Sequence, residues 1–533
     1  MRKAIVVLII VMLVVVATVG IFLLQGPDVP ERELAEQINV NGNTYEVGIT
    51  PYFNGYEGIR TDGPLMHGLT YRIRPSLGSN PISDRLYSSA GTGSTNQPYG
   101  LYSYSPADGR KLWTFNTQSQ ICTKTTVNNF GNQTNPSEAN LRLFFGCDDG
   151  ALFVLRDGYI ETIAFAPAGS NVWSYQLDGK AVEHIAIHDL RGNGFDNSDM
   201  FFAGTTNGTL YAFNGPISEY NPITGLYNNT QPTLAWANHI SDWPLTSPTV
   251  SDDGKHVFVG SRNGLLYGFD AVTGIEIFEW GGPYRVSDNY WSTSPVAVGT
   301  PVKIYASTGD GLIHCIWGSN GTAVSGWTHL EDKLAVNGYQ LKKPKAKIDG
   351  GNLTNICATP DDNFVMVGSD TGYVYSMSTL DISQSFVFDT RIHTQKTQVN
   401  VIPKYDGIFS QSVFIVARHL NNTDTDPSDD FSLLYQLASP ANSTVTWRLA
   451  VDGVVLGSPA VLSMSRRWPA DVLFSTVSYD QNGTASAGRL YSFDARAELI
   501  PIESNAIPGF DLLTISIATI AALAIMKIPR KKR

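Results

Sequence analysis

The stretch His256-Val-Phe-Val-Gly-Ser-Arg-Asn-Gly-Leu-Leu-Tyr-Gly-Phe-Asp270, followed by Ala-Val-Thr-Gly274 and by Trp280, decides the fold class of this chain. It consists of an apolar run, a turn that contains Gly264, and a second run with Tyr267 in its middle. Side chains alternate along both runs as they do in strands, where successive residues point to opposite faces. A Gly-containing turn is typical of a tight connection. The stretch therefore predicts a pair of short strands.

The second run of this unit recurs along the chain, so that the sequence contains eight copies. The central residues of successive copies are 47 to 61 residues apart, a spacing that fits four strands with their loops. Eight copies predict eight four-stranded units, or seven if one copy is degenerate, and the Trp that often closes a copy can wedge between neighbouring units. The central residues are Tyr102, Phe153, Tyr211, Tyr267, His314, Tyr375, Tyr435 and Tyr491. The closing residues are Trp113, Trp173, Trp236, Trp280, Trp327 and Trp447.

These residues resemble the pyrroloquinoline-quinone-type (PQQ-like) repeat, whose hallmark is Gly-x-Leu-Tyr-Ala-Phe/Leu-Asp-x-x-Thr-Gly-x-x-x-Trp. Gly264 to Trp280 is similar to that pattern, and the resemblance covers residues 85–500. It implies an all-β, eight-bladed β-propeller. Two functional branches share the repeat, the quinoprotein alcohol dehydrogenases and the non-catalytic propellers that bind other proteins, such as the outer-membrane assembly lipoprotein of bacteria. The dehydrogenases carry an adjacent Cys-Cys pair over the cofactor, and this sequence has none.

Composition agrees with many short strands joined by tight turns and argues against one class of partner. The chain has 49 Gly and only 16% charged residues, against a usual charged share of about 25%. Its formal net charge is −11. Because an acidic chain repels phosphate backbones, we expect no nucleic-acid partner.

The N-terminus carries a membrane signal. Arg2 and Lys3 precede an uncharged apolar run from Ala4 to Leu24, which is long enough to span the hydrocarbon core as a helix of about 30 Å. The alternative is a cleaved secretory signal, although the apolar region of such signals is usually about 7–15 residues. Both interpretations place the following residues outside the cytoplasm, because the positive charges stay inside.

The C-terminus carries a second membrane signal. Ile507-Pro-Gly-Phe510, the apolar run Leu512 to Met526 and the basic tail Arg530-Lys-Lys-Arg533 resemble archaeal C-terminal sorting signals of the Pro-Gly-Phe type. In that family a membrane sortase removes the tail, which is replaced by a lipid. The alternative is an ordinary second transmembrane helix with its positive cluster in the cytoplasm.

The sequence thus predicts four parts, with membrane at both termini and the propeller on the extracytoplasmic face of the cell membrane. They are residues 1–26 (transmembrane anchor or signal), 27–85 (membrane-proximal segment and ring-closing strand), 86–503 (propeller) and 504–533 (transmembrane or sorting tail). The strand-like stretch Asn43 to Thr50 could supply the outer strand of the last blade. Closure of the ring matters because open sheet edges invite aggregation.

Cysteines and sequons fit an exported glycoprotein. An even number of cysteines outside the cytoplasm allows disulfides, and proximity in the repeat suggests the pairs Cys122–Cys147 and Cys315–Cys357, with four buried free thiols as the alternative. Sequons in accessible turns can be glycosylated. Their asparagines are Asn132, Asn207, Asn228, Asn320, Asn352, Asn421, Asn442 and Asn482.

One loop suggests a structural calcium ion. His188-Asp-Leu-Arg-Gly-Asn-Gly-Phe-Asp-Asn197 resembles the calcium loops Asp-x-Asn/Asp-Gly-Asp-Gly-x-x-Asp of integrin-type repeats. Such a loop points alternate side-chain oxygens and a backbone carbonyl at one centre. Arg191 occupies an expected ligand position, and the alternative is a glycine-rich turn stitched by Asn and Asp side chains. The ligands would be Asp189, Asn193, Asn197 and the Phe195 carbonyl.

Signs of an enzyme are weak. His184 and His188 would lie about 13 Å apart on a strand, too far to share a metal, so both are interpreted as structural. No Gly-x-Ser-x-Gly elbow, phosphate loop or His-Glu-x-x-His motif occurs, and these are the signatures of common catalytic classes. The sequence therefore favours a cell-surface scaffold that binds a protein or glycan, with no cofactor beyond calcium. A quinoprotein-like oxidoreductase, or another extracellular hydrolase or polysaccharide-binding activity, is the alternative.

Overall fold

The computed structural model describes a chain that divides into two compact units, Met1–Ala497 and Glu498–Arg533, and every described residue belongs to the first. The described residues are 37–40, 43–46, 56–61, 70–72, 85–90, 98–105, 109–129, 141–156, 172–188, 199–215, 218–221, 226–229, 231–285, 291, 293–309, 311, 313–324, 335–336, 339–340, 353–359, 362–369, 372–380, 386–389, 399–403, 413–419, 431–452, 454–455, 460–461, 471–479 and 485–494.

Within these residues the regular elements are short strands and one 3₁₀ turn, Phe278–Trp280. Such a composition is expected of a chain whose Gly-containing turns recur every few residues. The strands are β1 (Gln37–Val40), β2 (Asn43–Glu46), β3 (Tyr56–Thr61), β4 (Thr70–Arg72), β5 (Arg85–Ala90), β6 (Gly100–Tyr104), β7 (Lys111–Asn116), β8 (Thr126–Asn129), β9 (Leu141–Gly146), β10 (Ala151–Arg156), β11 (Val172–Gln176), β12 (Ala186–His188), β13 (Met200–Gly204), β14 (Thr209–Asn214), β15 (Ser218–Asn221), β16 (Leu226–Asn229), β17 (Thr233–His239), β18 (Thr249–Val250), β19 (His256–Gly260), β20 (Leu265–Asp270), β21 (Tyr284–Arg285), β22 (Val296–Val298), β23 (Lys303–Ser307), β24 (Ile313–Trp317), β25 (Ala335–Val336), β26 (Tyr339–Gln340), β27 (Leu353–Ala358), β28 (Phe364–Ser369), β29 (Tyr373–Ser378), β30 (Phe386–Asp389), β31 (Val399–Pro403), β32 (Val413–His419), β33 (Phe431–Ser439), β34 (Asn442–Asp452), β35 (Ala460–Val461), β36 (Asp471–Tyr479) and β37 (Ala485–Asp494).

The strands form eight small antiparallel sheets and three two-stranded ribbons, counted over the described residues. Each repeat predicted from the sequence supplies one sheet, because its central residue lies in the third strand of that sheet. The ribbons are β1-β2, β15-β16 and β25-β26. Sheets 1 to 8 are, in order, β4-β5-β6-β7, β8-β9-β10-β11, β12-β13-β14-β17, β18-β19-β20-β21, β22-β23-β24, β27-β28-β29-β30, β31-β32-β33-β34 and β35-β36-β37-β3.

The first strands of the sheets lie side by side, and we call the side on which they meet the inner edge. From β4 through β31, each first strand lies beside that of the next sheet, and β35 of sheet 8 lies beside β4 of sheet 1. Sheet 8 also joins an early strand of the chain to its last described strand, since β3 pairs with β37. The strand at Asn43–Glu46, expected in this role, pairs instead with β1. Thirteen residues further along, Tyr56–Thr61 provides the outer strand.

The core consists of apolar layers between neighbouring sheets. In β19, Val257 and Val259 pack with Phe202 of sheet 3. Phe258, which lies between them in sequence, packs with Ile304 of sheet 5. Because successive side chains of a strand point to opposite faces, each strand contributes to two layers. The sequence alternation in the repeat is therefore explained by burial on both faces.

Tryptophans of the repeat seal adjacent sheets, as the sequence predicted. The Trp236 indole Nε1–H of sheet 3 donates to the Ala271 carbonyl of sheet 4 at 3.1 Å. Its ring covers Gly274, where an added Cβ would come within 2.6 Å of an indole carbon. Trp280 repeats the arrangement one sheet further and donates to the Gly318 carbonyl at 2.9 Å. Because burying a tryptophan requires a partner for its N–H, these bonds fix where each ring sits.

The two membrane signals lie outside the described residues, as does the Pro-Gly-Phe stretch. In the part of the chain that the structure describes, no helix combines the length and the apolar character needed to cross a bilayer.

Candidate functional site at the inner edge

Polar and ionisable side chains of sheets 2 to 5 gather at the inner edge. Lys124 precedes β8 and forms a parallel bridge with His184, which precedes β12. The Lys124 N–H donates to the Glu183 carbonyl at 2.7 Å. Ser247 and Ser294 occupy the matching segments before β18 and β22. We name these five residues the inner-edge cluster.

Glu183 has a backbone conformation that residues other than glycine rarely adopt. Its φ is 50°, in the left-handed region, where a non-glycine residue is strained unless its surroundings hold it. The Ser247 hydroxyl holds both flanking peptides: it donates to the Val182 carbonyl at 2.5 Å and accepts the His184 N–H at 3.0 Å. A neighbouring sheet thus stabilises the bend at Glu183. Strained residues of this kind concentrate at functional sites.

The Glu183 carboxylate is tied to a third sheet. The Ser294 hydroxyl donates to its Oε2 at 2.5 Å, and the Ser294 Oγ accepts the Ser247 N–H at 3.0 Å. The crowded protein surroundings raise the pKa of Glu183, whereas the Ser294 hydrogen bond and the positive charge of Arg262 act in the opposite direction. Glu183 as a whole residue is nevertheless exposed. It is therefore positioned to meet a ligand or a proton.

Lys124 and His184 form the basic side of the cluster. Burial lowers the pKa of Lys124. Burial and the neighbouring charge of Lys124 lower the pKa of His184 to about 4, so its imidazole is neutral at physiological pH. Over the described residues, no carboxylate lies within ion-pair distance of the Lys124 ammonium. Opposed pKa shifts of acid and base in one place are typical of functional sites.

A second group lies in the loop 239–245, which we name the rim loop. The Trp243 N–H donates to the Ser241 hydroxyl at 3.0 Å, and the Arg262 N–H donates to the Pro244 carbonyl at 2.9 Å. The side chain of Trp243 is nevertheless 57% exposed. The loop thus presents a large aromatic ring on a backbone fixed to sheet 4, beside the turn that carries Arg262.

The base of the rim loop is polar. The Thr209 hydroxyl donates to Asp178 Oδ2 at 2.5 Å and lies 3.2 Å from His239 Nδ1. His239 Nε2 is 3.4 Å from Asp242 Oδ1. This order resembles a nucleophile–base–acid chain, but the Thr209 hydroxyl is buried and already donates its proton to Asp178. The group therefore anchors the loop.

The sequence missed the inner-edge cluster because it has no motif. His184 was interpreted as structural because of its distance from His188, and the structure shows that its bridge partner is Lys124, 60 residues earlier. An isolated bridge between the segments before β8 and β12 brings them together. His314 does pack in place of the repeat Tyr, with its ring 5.3 Å from that of Trp291.

The predicted calcium ligands Asp189, Asn193, Phe195 and Asn197 lie outside the described residues, so calcium stays a prediction. The loop connects β12 to β13, whose end residues His188 and Met200 are paired. Within the described parts of the chain, no group of three or more His, Cys, Asp or Glu side chains could hold a metal.

The four cysteines are free thiols in this structure, which differs from the two predicted pairs. Cys147 lies opposite Ile121, so Cys122 lies opposite Gly146. Adjacent positions of a strand point to opposite faces, which separates the two thiols. Cys147 packs in the layer with sheet 1, whereas the Cys122 thiol points to the Ala181 carbonyl of sheet 3, at 3.3 Å.

Sheet 6 separates the other two cysteines. Cys315 packs in the layer between sheets 5 and 6, together with Ile356. Cys357 follows Ile356 in β27, so it faces the opposite layer, towards sheet 7. Its thiol lies 3.7 Å from the Met366 carbonyl. Proximity in the repeat did not distinguish the two faces of a strand.

Two sequons can be compared in detail. Asn320 is exposed, and its Oδ1 accepts the Thr322 N–H at 3.1 Å and hydroxyl at 2.8 Å. The Asn207 amide is also exposed, but it donates to the Asp178 carbonyl, and Thr209 of the same sequon is buried. Asn320 is thus the more accessible acceptor. Asn228 lies in β16 and Asn442 in β34. Outside the described residues lie Asn132, Asn352, Asn421 and Asn482.

No protein-family model and no curated protein matches the chain, so the PQQ-like repeat and the sorting tail stay predictions. Solved structures do match. Sqt1 from Saccharomyces cerevisiae has a TM-score of 0.51 at 11% identity, over 83% of this chain and 99% of that one. Sqt1 from Chaetomium thermophilum, bound to the N-terminus of the ribosomal protein L10, has a TM-score of 0.49 at 10% identity, over 82% and 99%. BamB from Moraxella catarrhalis has a TM-score of 0.44 at 12% identity, over 83% and 100%.

These proteins are β-propellers. The likeness to the Saccharomyces protein concerns the fold alone, because the identity is low. It agrees with the succession of small antiparallel sheets whose first strands meet at one edge. The chain therefore has a β-propeller fold.

Proposed function

We propose that this chain is an eight-bladed, membrane-anchored propeller that binds a protein partner through its rim loop. Each of the eight sheets is one blade, β3 closes the ring on β37, and the inner edge lines a central channel. The exposed Trp243 carries the proposal. Tryptophan is enriched among the few residues that dominate binding energy at protein interfaces.

The rim loop suits this task because its backbone is fixed before a partner arrives. The Ile240 N–H donates to the Gly208 carbonyl at 3.0 Å, and the Leu245 N–H donates to the Thr205 carbonyl at 3.1 Å. These bonds tie both ends of the loop to sheet 3. A loop on a rigid support loses little conformational entropy on binding. Trp243 can therefore act as a preorganised anchor.

We expect Trp243→Ala to abolish capture of the partner. The full chain, extracted gently from its own membranes after reversible crosslinking, is compared with the variant by quantitative mass spectrometry. Phe278→Ala is the matched control, because Phe278 is 90% exposed and begins the 3₁₀ turn between β20 and β21, away from the rim loop in sequence. A partner enriched at least tenfold by the wild type and by Phe278→Ala, but not by Trp243→Ala, supports the proposal. Equal capture by all three overturns it. Recovery of a bound glycan without a protein would show that the partner is a glycan and would also overturn the proposal.

The cellular location belongs to the same proposal. The apolar run after Lys3 would anchor the chain with the propeller on the extracytoplasmic face, and the basic C-terminus would return to the membrane. Intact cells treated with a protease should lose the propeller while residues before Ala4 stay protected. Protection of the whole chain would contradict this orientation.

A further inference from the structure

We propose that Lys124 and His184 form a binding site for a single carboxylate group at the inner edge. They are bridge partners on neighbouring parallel segments, so their side chains leave the backbone on the same side, about 4.8 Å apart. A carboxylate has two oxygens, and two side chains that leave neighbouring backbones on the same side can bring an ammonium and an imidazole N–H to one oxygen each.

The charges of the cluster favour such an occupant. Lys124 stands among protein atoms, and no described carboxylate pairs with it. An unpaired ammonium in such surroundings loses solvation, whereas an anion beside it restores the charged form. His184 sits within the field of Lys124, so the same anion stabilises its N–H donor.

Glu183 does not fill this role. Its carboxylate is directed to the Ser294 hydroxyl of sheet 5, whereas Lys124 belongs to sheet 2. Arg262 is the cation that acts on it. The cluster therefore has a basic side formed by sheets 2 and 3 and an acidic group held at sheet 5.

The cluster also selects the charge of its ligand. With His184 neutral, Lys124 supplies one positive charge, and Glu183 adds a negative charge nearby. A phosphate dianion, which carries both charges on one group, would therefore meet more repulsion than a carboxylate group, which brings one charge to the cluster even when its ligand has a second carboxylate further away. The carboxylate could belong to a small acid or to the end of a polypeptide.

Succinate tests the site on the full-length protein in detergent. Thermal midpoints are measured over a succinate titration and compared with chloride at equal ionic strength. Because a ligand that binds only the folded state stabilises it, the wild type should show a saturable rise with succinate. Lys124→Met should raise the apparent Kd at least tenfold, and Glu183→Gln, which removes a like charge, should lower it or leave it unchanged. Lys255→Met is the control, because Lys255 is exposed and pairs with Asp253.

The source of the carboxylate is distinguished by a second pair of probes. An N-acetylated alanine tripeptide with a free C-terminal carboxylate is compared with its C-terminal amide. Binding of the acid but not the amide, with little binding of succinate, identifies a polypeptide terminus; stronger binding of succinate identifies a small acid. In both cases the binding must be lost in the Lys124→Met variant.

A readout without substitutions guards against misfolding of the variants. Acetylation of Lys124 by an amine-reactive ester is followed by mass spectrometry, and succinate should slow it at least threefold while Lys255 reacts at an unchanged rate. No protection, or a succinate effect that persists in Lys124→Met, overturns the proposal. The carboxylate site and the rim loop are tested independently, because Trp243→Ala should retain succinate binding.

Discussion

Ser294 and Glu183, 111 residues apart in sequence, share a hydrogen bond of 2.5 Å between Oγ and Oε2. The bond reaches from sheet 5 to sheet 3, and Ser247 of the intervening sheet donates its N–H to the same Ser294 oxygen. The segments before three first strands, β12, β18 and β22, are thus connected through two serines and one carboxylate. Such a network restricts the inner edge to one arrangement, because each group needs its partners in place.

Ser247→Ala should destabilise the fold. The change removes a donor to the Val182 carbonyl and an acceptor for the His184 N–H, with an expected cost of about 1–3 kcal/mol. The thermal midpoint at a fixed scan rate measures it. Ser174→Ala, at an exposed position of β11, serves as control and should stay within about 0.5 kcal/mol. Equal midpoints for the two variants would show that the bend at Glu183 does not depend on Ser247.

Gly274→Ala and Gly281→Ala separate backbone strain from steric exclusion. Both glycines have positive φ, 71° and 62°. An added Cβ at Gly274 meets the Trp236 ring at 2.6 Å, whereas nothing lies within 4 Å at Gly281. Gly281→Ala should cost about 1–2 kcal/mol for the left-handed conformation alone. Gly274→Ala should cost at least twice as much, since the seal between sheets 3 and 4 must open. Chemical denaturation measures the free energy of unfolding of each variant. Similar losses in the two variants would contradict the sealing role of Trp236.

All four cysteines should react as thiols only after unfolding. Burial raises the pKa of the Cys122, Cys315 and Cys357 thiols to about 12, and burial also raises that of Cys147. The thiolate is the reactive form. A thiol-specific dye should therefore count fewer than one thiol in native protein at pH 8 and four in denaturant without reductant. Fewer than four in denaturant would indicate disulfides.

The stability of the wild type should fall in mild acid because of His184. Its pKa is about 4 in the folded chain and about 6.5 when unfolded, so between these values only the unfolded state binds the proton. Stability therefore decreases as pH falls from 6.5 towards 4, by about 2 kcal/mol at pH 5. The raised pKa of Glu183 has the opposite effect on stability, because the folded state then binds its proton more readily than the unfolded state as the pH falls. His184→Gln should reduce the loss in thermal midpoint between pH 7 and pH 5, and an unchanged loss would place the His184 pKa near its ordinary value.

Much of the fold could be predicted from the repeat, whereas the candidate site could not. The alternation around Val257 and Tyr267 encodes local strand structure, and each copy gave one sheet. The outer strand of sheet 8 is β3, a less regular segment that was not predicted because its role depends on a distant partner, β37. Lys124 and His184 meet through strand pairing across 60 residues, for which the sequence holds no local signal. The disulfide pairs differed because proximity in a repeat ignores which face of the sheet a residue occupies.

A closed propeller with a central channel, as proposed, requires that β3 pairs with β37. Arg60 of β3 lies opposite Arg489 of β37, so cysteines at these positions should form a disulfide under mild oxidation. The linked peptides are quantified by mass spectrometry in the full-length double variant Arg60→Cys and Arg489→Cys, with Arg60→Cys and Lys255→Cys as a distant control pair. We predict a crosslink in most molecules of the first variant and none in the second. Crosslinking no greater than in the control would contradict a ring closed by β3.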